Sequence, residues 1–258
     1  MFKRRTLFVV GAGASAEVEF PVGGQLARII SSKLNIQTDH GQVTSTGDPE
    51  LFQQIHRTFQ PEINDYIKAA LLIRDGVRLS GSIDDFLDIH NTDLRVQRVG
   101  KAAIVRAILQ AEKSSKLYVD QSNIYNKLDY SRIDDTWYMK FIRLLGRANS
   151  LANAATIFDN IAFIVFNYDS CIEHFLINAL QQLYGISRED AAKTINRLTI
   201  IHPYGMVGLL DSGVPFGGDQ YNTRIVSRSP IASRHIRSRS LMAKLFRRSM
   251  LKCEKRSK

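Results

Sequence analysis

Cysteine is nearly missing from this chain of 258 residues: Cys171 and Cys253 are the only two. Two cysteines so far apart exclude a disulfide framework and a four-cysteine zinc site. No apolar run approaches the ~18–20 residues that cross a bilayer. The apolar stretch behind the basic start MFKRR is short and lacks the small-residue cleavage site of a signal peptide. A cytoplasmic protein with no membrane contact is the simplest reading. Acids are missing from one region. From Tyr221 onward twelve Lys and Arg stand against the single acid Glu254, whereas the rest carries 23 basic and 24 acidic residues. The formal net charge of +10 therefore belongs to a basic tail on a near-neutral body. Only the tail argues for an acidic partner such as nucleic acid.

The body opens on its most informative stretch. Thr6 to Val10 is apolar and runs into Gly11-Ala12-Gly13-Ala14-Ser15, and an amphipathic helix is expected from Gly23 to Leu34. A buried strand, a glycine turn and a helix together outline a dinucleotide site, because glycines let backbone approach a pyrophosphate and a helix start favours anions. The full fingerprint asks for a third glycine three positions after the second, and here that position is Ala16. A ligand-free strand-to-helix turn remains open on this stretch alone.

Asn35 to Pro49 reads as a loop. Helical patterns follow after Pro61, from Ser82 as a cap, from Leu94 to about Leu109 and from Trp137 to about Leu151. Ile161 to Phe166 is a continuous apolar run that suits an interior parallel strand. A helix is expected from Ser170 to Tyr184, a short one capped by Ser187, and a second buried strand from Leu198 to Ile201. The order strand, helices, strand, helix, strand predicts an α/β fold: a Rossmann-like parallel sheet with a helical insertion at about 45–155, between its first and second strands. Residues 1–219 form the domain and 220–258 the basic tail. Ligands of open sheets sit at the carboxyl ends of strands, which here are Gly11–Ser15, Asn167-Tyr168-Asp169 and His202-Pro203-Tyr204-Gly205.

Those three segments, in that order, resemble the sirtuin-like family, and within it the prokaryotic, defence-associated branch that cleaves NAD. The matching residues are GAGAS with Pro21, then FNYD, then IHPYG, with SIDDFL at Ser82–Leu87 in the helical insertion. The resemblance covers about Thr6 to Gly218. It implies a Rossmann-like fold and hydrolysis of the nicotinamide–ribose bond, with NAD depletion serving anti-phage defence. By the same resemblance Asn167 orients the ribose and a water, and His202 is the base. Asp169 would help to hold the nicotinamide end, and Gly11, Ala12, Gly13 and Ser15 would line the pyrophosphate, with Pro21 also among the cofactor-binding residues.

The chemistry suits these residue types. Cleavage passes through an oxocarbenium-like state. The leaving pyridinium is already cationic, so a carboxamide and a base near neutrality suffice, and an unperturbed imidazole titrates at about 6.5. Plainer roles are available to each. Asn167 and Asp169 are turn-forming types, Asp169 also suits a helix cap, and His202 before Pro203 suits a satisfied histidine at a strand end. Asp84, Asp85 and Asp88 read as a solvated helix start, and the other five histidines show no ligand spacing.

Departures from the family sharpen the reading. Deacylating sirtuins carry a four-cysteine zinc module; its absence here favours NAD hydrolysis with no zinc. An NAD-dependent ADP-ribosyl or acyl transferase is the alternative, as is a non-catalytic nucleotide sensor with a nucleic-acid-binding tail. A homo-oligomer is left open. The family returns to the sheet after its histidine through a strand and a Gly-x-Ser turn. Here Val214–Gly218 begins such a passage, but the composition then shifts to the basic tail. A nucleic-acid-binding tail, a disordered solvated tail and a truncated or frame-shifted reading frame all fit that shift. Leu241–Leu251 is expected as a short basic amphipathic helix.

Overall fold

The computed structural model describes every residue except 1, 3, 40–41, 44–46, 121, 124, 148–149, 208–215 and 218–258. The described residues fall into two compact units, one drawn from Met1–Gly11 and Asp134–Gly213, the other from Ala12–Ile133 and Val214–Ser227. The basic tail, its expected helix at Leu241–Leu251, and Cys253 lie outside the described residues.

Along the chain run β1 (Thr6–Val10), α1 (Ala12–Ala16), α2 (Gly23–Lys33), β2 (Thr38–Asp39), β3 (Gln42–Val43), α3 (Pro49–Thr58) and α4 (Ile63–Gly76). Then follow α5 (Ile83–Ile89), α6 (Leu94–Ser114), α7 (Trp137–Gly146), β4 (Ile161–Val165), α8 (Cys171–Tyr184), α9 (Arg188–Arg197) and β5 (Thr199–Ile201). No described helix is long and apolar enough to cross a membrane.

The first unit is a three-stranded parallel sheet in the order β1-β4-β5 with α7, α8 and α9. Val9 lies level with Ile164, and Ile164 with Ile201, so the carboxyl ends of all three strands come out together. β4 is central, and Ile161, Phe163 and Val165 on one of its faces are buried. Phe8 of β1, Phe163 of β4 and Phe141 of α7 form an aromatic cluster with ring centroids 5.2–5.6 Å apart. Each such pair contributes ~0.5–1.5 kcal/mol beyond its buried area.

Two expectations are corrected here. β1 and β5 are not buried strands. Leu7 and Val9 are 53 % and 66 % exposed, and no residue of β5 is buried. Among the described residues both strands are edges of the sheet, and β4 alone has hydrogen-bonded neighbours on its two sides.

The second unit is helical around α6, whose 21 residues include a dozen that are buried. α5 packs by small-to-large fitting: a Cβ on Gly76 would stand 2.5 Å from the Phe86 ring, and one on Gly100 2.5 Å from Leu87. Asp48 caps α3 through the amides of Glu50 and Leu51, and its other oxygen meets Lys33 at 3.0 Å and Arg106 at 2.7 Å. Burial raises the Asp48 pKa, but these cations and amides outweigh it and hold the carboxyl below its ordinary value. The expected loop at 35–49 contains the small antiparallel pair β2–β3. The helical unit, drawn from Ala12–Ile133 and Val214–Ser227, includes α1 to α6.

GAGAS also differs from expectation. Its last four residues are not an open turn but belong to the short helix α1, which ends at Ala16. Three alanines, the strongest helix formers, explain why it winds at once. Chain direction then changes at Glu19, whose φ is +74°, before Pro21 and α2. Of the passage expected at Val214–Gly218, only Phe216 and Gly217 are described, and they form a turn. Gly217 donates its N–H to the buried Glu112 at 3.0 Å.

Candidate functional site

The sheet unit brings Gly11, Asn167, Asp169 and His202 to the carboxyl ends of its three strands. The ladder between β1 and β4 runs one step beyond the strands, where Phe166 N–H donates to the Val10 carbonyl at 2.9 Å. The Asn167 side chain continues it, with Nδ2 donating to the Gly11 carbonyl at 3.3 Å. Asn167 is 6 % exposed, held at the junction of the two strands.

His202 follows β5 directly. Gly205, with φ +90°, turns the loop behind it, and Val207 N–H donates to the Tyr168 carbonyl at 2.7 Å. That backbone bond ties the loop after β5 to the loop after β4. The Tyr204 ring lies 5.9 Å from Phe166 and 6.5 Å from Tyr168, adding an aromatic contact between the same loops.

The imidazole is nearly enclosed, its side chain 8 % exposed. Nδ1 lies 3.0 Å from the Asn167 carbonyl, and Nε2 lies 2.9 Å from Oε1 of Glu173. Burial by itself lowers the His202 pKa. The Glu173 carboxylate, the Asn167 carbonyl and the Asp169 charge outweigh it and raise the net value above the ordinary imidazole range. An unperturbed imidazole near neutrality is therefore not what this site holds.

Asp169 is buried, and Oδ1 accepts from the Cys171 N–H at 3.2 Å. One of its oxygens thus caps α8, as the plainer reading allows. Glu173 is the residue that sequence reasoning missed. It is the third residue of α8, 5 % exposed, and its Oε2 has no hydrogen-bond partner among the described residues. An acid in the first turn of a helix looks like ordinary dipole complementation. The one available signal was its place six residues after Asn167, in the helix that leaves the same strand end.

The other predicted residues belong to the loop and helix after β1. Gly11 and Gly13 are exposed, and a Cβ added to either would meet nothing within 4 Å among the described residues. Neither has positive φ, so neither backbone conformation nor packing requires glycine there. Ala12 is half-buried in α1, and Ser15 is 2 % exposed, its carbonyl accepting from Val18 and Phe20. Pro21 is half-buried between α1 and α2.

In α5 the apolar residues of SIDDFL are buried and Ser82 caps Asp85, whose side chain is exposed, so that motif is accounted for by packing and capping. His174 is also buried, with Asn178 at its carbonyl and ring. Among the described residues no three His, Cys, Asp or Glu are grouped to hold a metal. No protein-family model matches the chain, and no curated protein or solved structure matches it significantly.

Proposed function

We propose that this chain is a cytoplasmic, sirtuin-like enzyme with a Rossmann-like sheet that hydrolyses NAD to nicotinamide and ADP-ribose, acting in anti-phage defence by NAD depletion. One observation carries the proposal. Gly11, the Asn167–Asp169 segment and His202, far apart in sequence, are joined by hydrogen bonds and charge at the carboxyl ends of adjacent parallel strands, where open sheets hold their ligands. The unfilled space at Gly11 and Gly13 supports the dinucleotide part of the reading.

In the proposed reaction a water oxygen bonds to ribose C1 as the C1–N bond breaks. The bonding pair leaves with nicotinamide, which becomes neutral, and the water gives up one proton. Asn167 orients ribose and water, and His202 receives the proton. Asp169 helps to hold the nicotinamide end of the cofactor. No metal enters this scheme.

A second reading, nucleotide binding without cleavage, is favoured by the contacts on both ring nitrogens of His202. Incubating the full chain with NAD and separating the products decides between them. Free nicotinamide in repeated turnovers, lost in Asn167→Ala and His202→Ala, supports hydrolysis. Saturable binding without nicotinamide supports the second reading, and ADP-ribose joined to protein would indicate a transferase.

A further inference from the structure

A carbonyl oxygen only accepts, so Nδ1 of His202, 3.0 Å from the Asn167 carbonyl, carries a hydrogen. A neutral ring would then present a bare lone pair at Nε2. That lone pair would face Oε1 of Glu173 at 2.9 Å, and an ionised carboxylate has only lone pairs to offer. The contact is satisfied only when a proton lies between Nε2 and Oε1. The other oxygen of Glu173 has no hydrogen-bond partner among the described residues, and both side chains are more than nine-tenths buried.

The remaining groups acting on the ring point the same way. From the loop after β4 come the Asn167 carbonyl and the Asp169 carboxylate, and from α8 comes Glu173. All three favour a proton on His202, and only burial opposes it.

We infer that Glu173 is a positioning residue that holds His202 in its protonated form and thereby sets the pH above which His202 can accept a proton. The catalytic consequence rests on the proposed hydrolysis; the pairing itself does not. In that reaction the proton leaving water needs an open lone pair at Nε2, which exists only after the shared proton has left. Nicotinamide release therefore rises with pH through the His202 midpoint. Glu173→Gln presents an amide N–H to the bare Nε2. The ring stays oriented while its neutral form is favoured, so the midpoint moves to lower pH.

The test is an NMR titration of the histidine ring signals in the full chain, wild type and Glu173→Gln, with the pH profile of nicotinamide release measured beside it. The inference predicts that His202 titrates above the ordinary imidazole value of about 6.5 in the wild type and moves to lower pH in Glu173→Gln. In the variant kcat falls, because the amide N–H occupies the lone pair that must take the proton, and KM for NAD changes little. A wild-type His202 midpoint at or below about 6.5, the ordinary imidazole value, overturns it without reference to any variant. So does a folded Glu173→Gln protein whose midpoint stays in place. If the midpoint moves as predicted while no nicotinamide is released at any pH, the pairing stands and the hydrolase reading falls.

Discussion

The backbone carbonyl of Asn167 accepts from Nδ1 of His202 at 3.0 Å, while the Asn167 side chain points its amide to the Gly11 carbonyl. One residue thus uses its backbone to orient the histidine and its side chain to bridge β1 and β4. The two jobs are separable by mutation. In Asn167→Ala the histidine keeps its carbonyl partner, so its NMR titration is predicted to change little. Nicotinamide release is predicted to fall below detection. A displaced His202 titration would show that the side chain, not the carbonyl, holds the ring.

Gly11 and Gly13 offer a test that separates binding from folding. Among the described residues a Cβ at either position meets nothing within 4 Å, and neither has positive φ. Gly11→Ala and Gly13→Ala are predicted to leave the thermal midpoint unchanged or to stabilise the protein by ~0.4–1 kcal/mol. NAD affinity, measured by calorimetry, is predicted to drop in both. Undiminished affinity would remove the phosphate end of the site from this stretch.

Gly205 has the opposite character. Its φ of +90° is one that a side chain rarely adopts, and its turn lies between His202 and the bond from Val207 to Tyr168. Gly205→Ala is predicted to cost about 1–3 kcal/mol of stability, read by urea denaturation. It is also predicted to lower nicotinamide release by moving His202. A neutral substitution would mean that the loop relaxes without carrying the histidine.

Stability should depend on pH through the same histidine. Its folded pKa is raised above the unfolded value. With Glu173 ionised, the stabilisation is therefore full below the unfolded pKa of about 6.5. It is lost as pH rises through the folded value. His202→Gln removes the ionisable ring, so the melting difference between wild type and variant is predicted to be larger at pH 6 than at pH 9. A difference that grows with pH would reverse the assigned sign.

Much of this arrangement was legible in the chain. The apolar run at Ile161–Phe166 is the central strand, and the ends of three strands converge as their order implied. Ser187 caps α9 as expected, its hydroxyl accepting from Asp190. Burial of β1 and β5 was not legible, because a short apolar run is the same whether its strand is central or an edge. α1 was hidden by reading glycines as a turn where the alanines between them wind a helix. Glu173 was hidden because an acid early in a helix already has an ordinary explanation. Only the return of β5 brings His202 within 2.9 Å of it.

The most direct test of the account is product analysis after incubating the full chain with NAD. The account predicts nicotinamide and ADP-ribose in equal amounts over many turnovers, with neither formed by Asn167→Ala. NAD bound to saturation and recovered intact would contradict it.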